Sequence, residues 1–312
     1  MNRELDKKRP LAVVHIDVDS SWAISEHFIP SADRSDCSMY TQAIPRFLAM
    51  LDKHQVPATF FCIGEDARRS EQAHIMREIV TQGHEIANHT MNHRNNFSQL
   101  SSLDKRDEII ESDTILKDVT QAEIFGFRSS GYYVDDSIIE VLQELGYLYD
   151  SSKLPTPALP FMAMALYILS GGFRSRKRLG RLKDSWSNQY PHFVTPNHIH
   201  PNIESKLLEI PVSVMPIIRF PFHSTMVFLF GRWLFALGAQ LIRGFRLPLV
   251  YLFHSVDLLP DTNNTTVKKH PTLKVDFTKR YQIVEYVMKH IQHNFDIVKT
   301  HSFVDYYKRT LL

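Results

Sequence analysis

The sequence predicts an α/β fold built around a parallel sheet, and two observations lead to this class. Short apolar runs typical of buried strands alternate along the chain with longer segments of helical periodicity. Gly83 and Gly146 each directly follow a helical pattern, where glycine commonly ends a helix. Because 312 residues with 44% hydrophobic content can bury one large core, we expect a single domain over residues 1–312.

The predicted elements alternate from the first strand onward. The expected strands, in chain order, are LAVVHIDVD, ATFFCIG, HEIAN, IFGFR, YLYDSS, LLEIPV, LPLVYLFH and FDIVKT. The expected helices are YTQAIPRFLAMLDKHQ, EQAHIMREIVTQG, LDKRDEIIESDTILKDV, DDSIIEVLQELG and TKRYQIVEYVMKHIQHNF. A helix between successive strands is what a parallel sheet requires.

Between about residues 153 and 247 two long apolar runs interrupt this alternation. They are interpreted either as core helices of an insertion or as interfacial helices lying on a membrane. Arg232 and Gln240 in the second run argue against a membrane-spanning helix. The first run leads into a basic segment suited to anionic headgroups, which contains Arg174, Arg176, Lys177, Arg178 and Arg181.

Composition and charge exclude several classes. A net charge of +2 does not indicate nucleic-acid binding. Cys37 and Cys62 cannot form a disulfide framework, which fits a reducing compartment. The N-terminus has no apolar signal-peptide core, and no run of about twenty uncharged apolar residues is present. We expect a cytoplasmic protein, soluble or peripheral on the inner face of the cytoplasmic membrane.

The first polar cluster lies in the strand VVHIDVDSSW, residues 13–22. Because side chains alternate along a strand, Asp17 and Asp19 project from the same face. Two such carboxylates repel each other unless a cation lies beside them, and a metal ion is the first candidate. His15 shares this face but lies deeper, so we interpret it as a core histidine, as we do His84 further along the chain.

The second cluster is GHEIANHTMNH, in which His89 and His93 follow a predicted strand. On a helical turn this spacing would stack both imidazoles on one face. Two histidines with one carboxylate leave coordination positions open, which is typical of a hydrolytic metal site. One aspartate would then be a ligand and the other a base.

Two further clusters complete the candidate site. In GFRSSGYYVDDS, Arg128 could pair with the non-ligating aspartate, and Gly131 could turn the backbone so that an N–H near Tyr132 meets an oxyanion. In VYLFHSVD, His254 could protonate a leaving amine from the side of the site opposite the base. The alternatives are an ordinary loop with a surface arginine and a packed histidine.

Taken in order, the four clusters resemble the motifs of the polysaccharide deacetylase family, also called the NodB-homology or carbohydrate esterase family 4. They read DVD at 17–19, HTMNH at 89–93, RSSG at 128–131 and YLFH at 251–254. The resemblance covers the first half of the chain closely and resumes around Leu249. It implies a deformed (β/α) barrel and one divalent ion, usually Zn²⁺, with Mn²⁺, Co²⁺ and Ni²⁺ as alternatives.

Carried over by position, the resemblance implies Asp17 as general base, and Asp19, His89 and His93 as metal ligands. Arg128 would orient Asp17, and His254 would be the general acid. Three departures stand out: Val18 separates the two acids, Ser130 replaces the usual proline, and the acid that tunes the catalytic histidine has no clean match. Asp150 and Asp257 compete for that last role.

The separated acids resemble the branch that acts on less usual amides, including lipid-linked sugars and ureides. Trp22 and Tyr132 are candidates for stacking on a sugar ring, with packing as the alternative. Glu209 is a candidate for the substrate wall, with a structural hydrogen bond as the alternative. We expect a hydrolase that uses metal-activated water to remove an N-acyl group, acetyl or formyl, from an amino sugar in a glycan or lipid-linked precursor. The rivals are a hydrolase of small cyclic or ureide amides and a catalytically silent glycan-binding protein.

Overall fold

The computed structural model describes residues 9–26, 28–29, 32–158, 161, 182–196 and 207–311. The first apolar run predicted between residues 153 and 247 falls mostly outside these ranges, and so does the basic segment from Arg174 to Arg181. The second apolar run is described in full.

Nine strands form one sheet in the described part of the chain. Their order across the sheet is β6-β7-β5-β4-β3-β2-β1-β8, with β9 paired to the start of β1. Their bounds are β1 Leu11–Val18, β2 Thr59–Cys62, β3 Glu85–Asn88, β4 Gly126–Phe127, β5 Tyr149–Asp150, β6 His192–Phe193, β7 Leu208–Glu209, β8 Leu249–His254 and β9 Asp296–Ile297.

Ten α-helices are described around and between these strands. Their bounds are α1 Ser21–Ser25, α2 Ile44–His54, α3 Gly64–Ala67, α4 Ser70–Thr81, α5 Ser102–Thr120, α6 Asp136–Glu144, α7 Ser224–Phe230, α8 Arg232–Gly244, α9 Phe277–Asn294 and α10 Thr300–Leu311. All five predicted helices are present, and the predicted strands recur with shorter bounds.

The sheet curls into a deformed (β/α) barrel, as the family resemblance implies. Every strand pair is parallel except β6 with β7. Between β7 and β8 an irregular segment continues the wall: Ile210 N–H donates to the Asp150 carbonyl, and Ser213 N–H donates to the Val250 carbonyl. The range predicted as an insertion therefore also supplies part of the barrel.

The alternation of β1 separates two cores. Ala12, Val14, Ile16 and Val18 pack outward against the helices, which form the larger core. Leu11 and Val13 face the barrel interior, where Phe303 and Val304 of α10 contact the same cluster. Helix α10, which is not among the five predicted helices, thus fills the lower barrel. The upper interior, at the carboxyl ends of the strands, is left to polar side chains, where α/β folds usually place their sites.

Candidate metal centre and active site

Asp19, His89 and His93 bring their side chains together at the carboxyl end of the sheet. Asp19 Oδ1 lies 3.5 Å from His89 Nε2 and 3.4 Å from His93 Nε2. Two ligand atoms bound to a tetrahedral Zn²⁺ at ordinary Zn–N and Zn–O lengths would lie about 3.3 Å apart. Asp19 Oδ1 is buried and, within the described ranges, accepts no hydrogen bond. The three residues therefore fit a single divalent cation.

The turn between His89 and His93 is irregular, so the predicted helical turn is wrong. Thr90 and His93 both have left-handed backbone conformations, with φ of 67° and 44°. The turn is held by hydrogen bonds from Thr90 N–H to Asn88 Oδ1 at 2.8 Å and from His93 N–H to Thr90 Oγ1 at 3.0 Å. The two imidazole centroids still lie 5.0 Å apart. Backbone strain of this kind is often concentrated at functional sites.

The tautomer of His89 suits a ligand. Its Nδ1 lies 2.7 Å from the Arg128 carbonyl oxygen, which can only accept. Nδ1 therefore carries the hydrogen and Nε2 presents its lone pair toward Asp19. Metal-bound histidines are commonly oriented by such a hydrogen bond from the ring nitrogen that does not bind the metal.

Charges within the cluster favour an ionised carboxylate beside the histidines. Burial by itself raises the pKa of Asp19, but His93, His89 and His254 outweigh it and hold that pKa well below its ordinary value. Burial lowers the pKa of His89, but Asp17 and Asp19 outweigh this effect and raise that pKa above its ordinary value. A cation bound here would replace the proton that His89 otherwise attracts.

Asp17 lies beside this cluster and is paired with a buried arginine. Arg128 Nη1 donates to Asp17 Oδ1 at 2.6 Å, and the two side chains are 1% and 7% exposed. The guanidinium also donates through Nε to the Ser151 carbonyl and through Nη2 to Ser151 Oγ, both at 2.8 Å. It lies over the Phe61 ring at 4.1 Å. The predicted pairing of Arg128 with the non-ligating aspartate is therefore present.

The loop after Arg128, where Ser130 stands in place of the proline of the family motif, is held by hydrogen bonds. Ser129 N–H donates to Ser152 Oγ at 2.9 Å, and Ser130 Oγ donates to the Arg94 carbonyl at 3.1 Å. Gly131 and Tyr132 then adopt φ of 74° and 59°. Two successive left-handed residues give the tight turn expected at Gly131. The Tyr132 side chain packs against an interior cluster that includes Leu252, and burial raises its pKa well above the ordinary value.

His254 ends β8, which is the direct neighbour of β1. In the register of these strands His254 pairs with Asp17, so the candidate acid lies beside the base and not across the site from it as predicted. Nearby, buried Asp257 Oδ2 accepts a hydrogen bond from the His254 backbone N–H at 3.0 Å. Burial raises the pKa of Asp257, and the charge of His254 opposes that rise. Asp257 is therefore the acid that the structure brings to His254.

Asp150 and Glu209 form a separate carboxyl pair. They are register partners on β5 and β7, and their strand neighbours Tyr149 and Leu208 face the barrel interior, so both acids lie on the opposite face. Burial, and then the charge of Asp150, raise the pKa of Glu209 well above its ordinary value. The pair is thus suited to share a proton. Because both acids lie on this opposite face, Asp150 does not lie beside His254, and Glu209 is not part of the interior wall.

Trp22 lies under the surface, where its ring is not available for stacking on a sugar. It is fully buried, its indole N–H donates to Asp66 Oδ1 at 2.8 Å, and Arg34 lies over the ring at 4.2 Å. In this position Trp22 shapes the segment that follows Asp19.

Three buried residues near the site are given no functional role by the sequence. His15 contacts Arg128, and Asp66 accepts from both Trp22 and Ser20. His223 lies with its ring centroid 6.1 Å from that of His254. Burial, and then the charge of His254, lower the pKa of His223 to about 3. The shared face with Asp17 was a usable signal for His15; the partners of the other two lie far apart in the chain.

Comparison with known proteins agrees with this geometry. The family model described as polysaccharide deacetylase matches residues 34–149, a range that contains His89, His93 and Arg128. The peptidoglycan-N-acetylglucosamine deacetylase of Bacillus cereus is 32% identical over 107 residues, which are 33% of this chain and 46% of that protein. The peptidoglycan deacetylase of Helicobacter pylori is 26% identical over 206 residues, 64% of this chain and 63% of that protein. The alignments thus span less than two thirds of either relative.

The fold has a close counterpart among solved structures. A candidate polysaccharide deacetylase from Mycobacterium smegmatis superposes with a TM-score of 0.66 at 18% identity, over 99% of this chain and 94% of the other. This likeness concerns the fold, and it extends to the strands that carry Asp17 and His254, outside the range of the family model. The match of residues 34–149 to the family model, these relatives and the fold together support a member of the polysaccharide deacetylase (NodB-homology) family.

Proposed function

We propose that this protein is a metal-dependent hydrolase that removes an N-acyl group, acetyl or formyl, from an amino sugar. The observation that carries the proposal is the spacing of Asp19 Oδ1 from the His89 and His93 nitrogens, 3.5 and 3.4 Å, beside a carboxylate fixed by Arg128. Ligands for one cation and a separate base are the two components that hydrolysis of an amide by activated water requires.

In this proposal each polar residue has its own task. When bound, a divalent cation, which we take to be Zn²⁺ from the two-histidine, one-carboxylate ligand set, supplies acidification of water and polarisation of the acyl carbonyl. Asp17, held by Arg128, accepts the proton of the attacking water. His254 donates a proton to the departing amine, with Asp257 supporting the charged imidazole. The backbone N–H of Tyr132 in the left-handed turn stabilises the oxyanion.

Metal analysis and product release test the proposal together. We expect about one Zn²⁺ per chain in the native protein and less than a tenth of that in Asp19→Ala, because one of three ligands is removed. The control is Asp107→Ala, which removes an exposed acid from α5. Acetate and formate release from N-acylated glucosamine oligomers should require the bound metal and fall with its loss.

A panel of substrates separates the rivals. Release of acetate from N-acetylglucosamine oligomers or peptidoglycan fragments supports the glycan reaction. If the protein hydrolyses small ureides and does not act on the glycans, the ureide alternative replaces the glycan reaction. If the protein binds glycan but no metal, the catalytically silent glycan-binding alternative is correct.

As the finer part of the proposal, the substrate is lipid-linked and the protein lies on the inner face of the cytoplasmic membrane. The support is a set of large exposed apolar side chains between residues 217 and 233, here called the apolar face: Ile217, Ile218, Leu229, Phe230 and Trp233. Ile217 is 74% exposed, Ile218 63% and Trp233 60%. Such large side chains rarely gather on the surface of a monomer unless they contact a partner or a membrane.

Charge and backbone conformation point to the same use of the apolar face. From Ile210 to Val256 the chain contains no acid and no lysine but four arginines. Ile217 has a φ of 69°, a conformation unfavourable for a β-branched residue. No helix of the described part is long and apolar enough to cross a bilayer. The proposed contact is in the plane of an anionic surface.

Vesicle sedimentation tests this part separately from catalysis. We expect the protein to bind vesicles containing phosphatidylglycerol more strongly than vesicles of phosphatidylcholine alone. The variant Ile217→Ser/Ile218→Ser/Trp233→Ser should lose this binding, while Leu103→Ser, which removes a leucine exposed to 66% on α5, should keep it. Equal sedimentation of native and triple-variant protein would contradict membrane contact and leave the deacylation proposal untouched.

A further inference from the structure

His15 lies directly beneath the candidate base and contacts its arginine. His15 is 0% exposed, and its Nδ1 lies 2.7 Å from Arg128 Nη2. Asp17, two residues further along β1, projects to the same interior face and accepts from Arg128 Nη1 at 2.6 Å. One guanidinium thus joins two side chains of the same strand.

The chemistry of arginine fixes the state of His15. Arg128 can only donate, so His15 Nδ1 must accept and cannot carry a hydrogen. His15 is therefore the neutral tautomer with hydrogen on Nε2, which donates to Thr300 Oγ1 at 3.1 Å. Burial, and then the charge of Arg128, hold the pKa of His15 well below its ordinary value, in agreement with this state.

The contacts continue from His15 to the helix that fills the lower barrel. Thr300, the first residue of α10, lies 2.7 Å from Thr59 Oγ1 on β2. His15 also makes an edge-to-face contact with Phe61, over which the guanidinium lies. The imidazole is thus held from below by α10 and β2, and it presents a fixed lone pair to Arg128.

We propose that His15 is a positioning residue for the deacylation reaction, acting through Arg128 to hold the carboxylate of Asp17 in the orientation of a base. The proposal rests on the proposed function in that Asp17 is taken as the base. An apolar side chain at position 15 would fill the space but leave one guanidinium N–H without an acceptor. Arg128 would then shift, and the Asp17 carboxylate with it.

Two substitutions separate positioning from packing. In His15→Asn, Oδ1 occupies about the place of Nδ1 and can still accept from Arg128. In His15→Leu the volume is kept and the acceptor is lost. Because misplacement by about 1 Å can cost on the order of 100-fold in rate, we expect kcat of His15→Leu to fall by that factor with KM within about threefold of native. His15→Asn should restore kcat to within about tenfold of native.

Metal content provides the readout that separates this loss from damage to the metal site. His15 contacts none of the three candidate ligands in the described hydrogen bonds, so both variants should bind native amounts of Zn²⁺. A His15→Leu variant that keeps native kcat, or a His15→Asn variant that loses as much activity with its metal intact, would overturn the proposal. If His15→Leu fails to fold, His15→Gln, whose longer side chain moves the amide away from Arg128, takes its place with the same expectation.

Failure of the proposed function can be told apart from failure of this inference. If native protein releases no acyl group from any amino sugar, the proposed function fails. Crystal structures then decide the role of His15. A displaced Asp17 carboxylate in His15→Leu and an undisturbed one in His15→Asn support positioning, whereas an undisturbed carboxylate in both overturns it.

Discussion

Asp66 makes the stability of this protein depend on pH in a way that can be calculated. It is fully buried beneath the segment after Asp19, where it accepts from Ser20 Oγ and from Trp22 Nε1. Burial outweighs these hydrogen bonds and raises the pKa of Asp66 from 3.8 to about 6. The folded protein therefore binds this proton more tightly than the unfolded chain does.

The direction of the pH dependence follows from this difference in proton affinity. A carboxyl with a raised pKa stabilises the fold fully below about pH 3.8, and this contribution is lost as the pH rises through 6. With these two pKa values, the contribution falls by about 1.4 kcal/mol between pH 5 and pH 7.5. Asp66→Asn cannot titrate, so its stability lacks this dependence.

The assay is urea unfolding of native protein and Asp66→Asn at both pH values, with chelator present so that metal binding does not contribute. The histidines titrate in both proteins, so their contribution cancels in the difference. We expect the free energy of unfolding of the native protein, relative to the variant, to decrease by about 1.4 kcal/mol from pH 5 to pH 7.5. A difference that stays constant, or that increases, would refute a buried protonated Asp66.

Three other substitutions probe the base, the acid and the lower barrel. Arg128→Lys should reduce kcat/KM on the order of 100-fold in steady-state assays, because one ammonium cannot meet Asp17, His15 and Ser151 in the geometry of the guanidinium. His254→Asn should reduce kcat by at least about 100-fold while the Zn²⁺ content stays native, since it removes the acid and no ligand. Phe303→Ala should destabilise the protein by about 3–5 kcal/mol in urea unfolding, because Phe303 is fully buried in the interior cluster.

The candidate metal cluster could be predicted because its components are local in the sequence. Asp17 and Asp19 share a strand face, and His89 and His93 share one turn, so two short motifs suffice once parallel strands bring their carboxyl ends together. The conformation of the turn could not be predicted. Spacing by four residues suggests a helix, whereas Thr90 adopts a left-handed conformation tied back to Asn88.

The supporting residues were harder to predict because their partners are remote. His15 is separated from Arg128 by 113 residues and from Thr300 by 285, so neither hydrogen bond leaves a pattern in the sequence. The sequence leaves Trp22 open between stacking on a sugar ring and packing. The structure shows packing, because the carboxyl of Asp66, 44 residues away, accepts a hydrogen bond from the buried indole N–H. Short-range spacing identifies ligands, and tertiary contacts determine which other residues support them.

The division of the barrel interior explains why this support takes the form of a chain of hydrogen bonds. Helix α10 fills the lower interior with Phe303 and Val304, so water cannot solvate Arg128 from below. A buried guanidinium is costly unless its N–H groups are satisfied. His15 and Ser151 supply acceptors for Nε and Nη2, and Nη1 donates to Asp17. The same apolar helix that stabilises the barrel therefore makes a neutral, correctly oriented histidine necessary under the base.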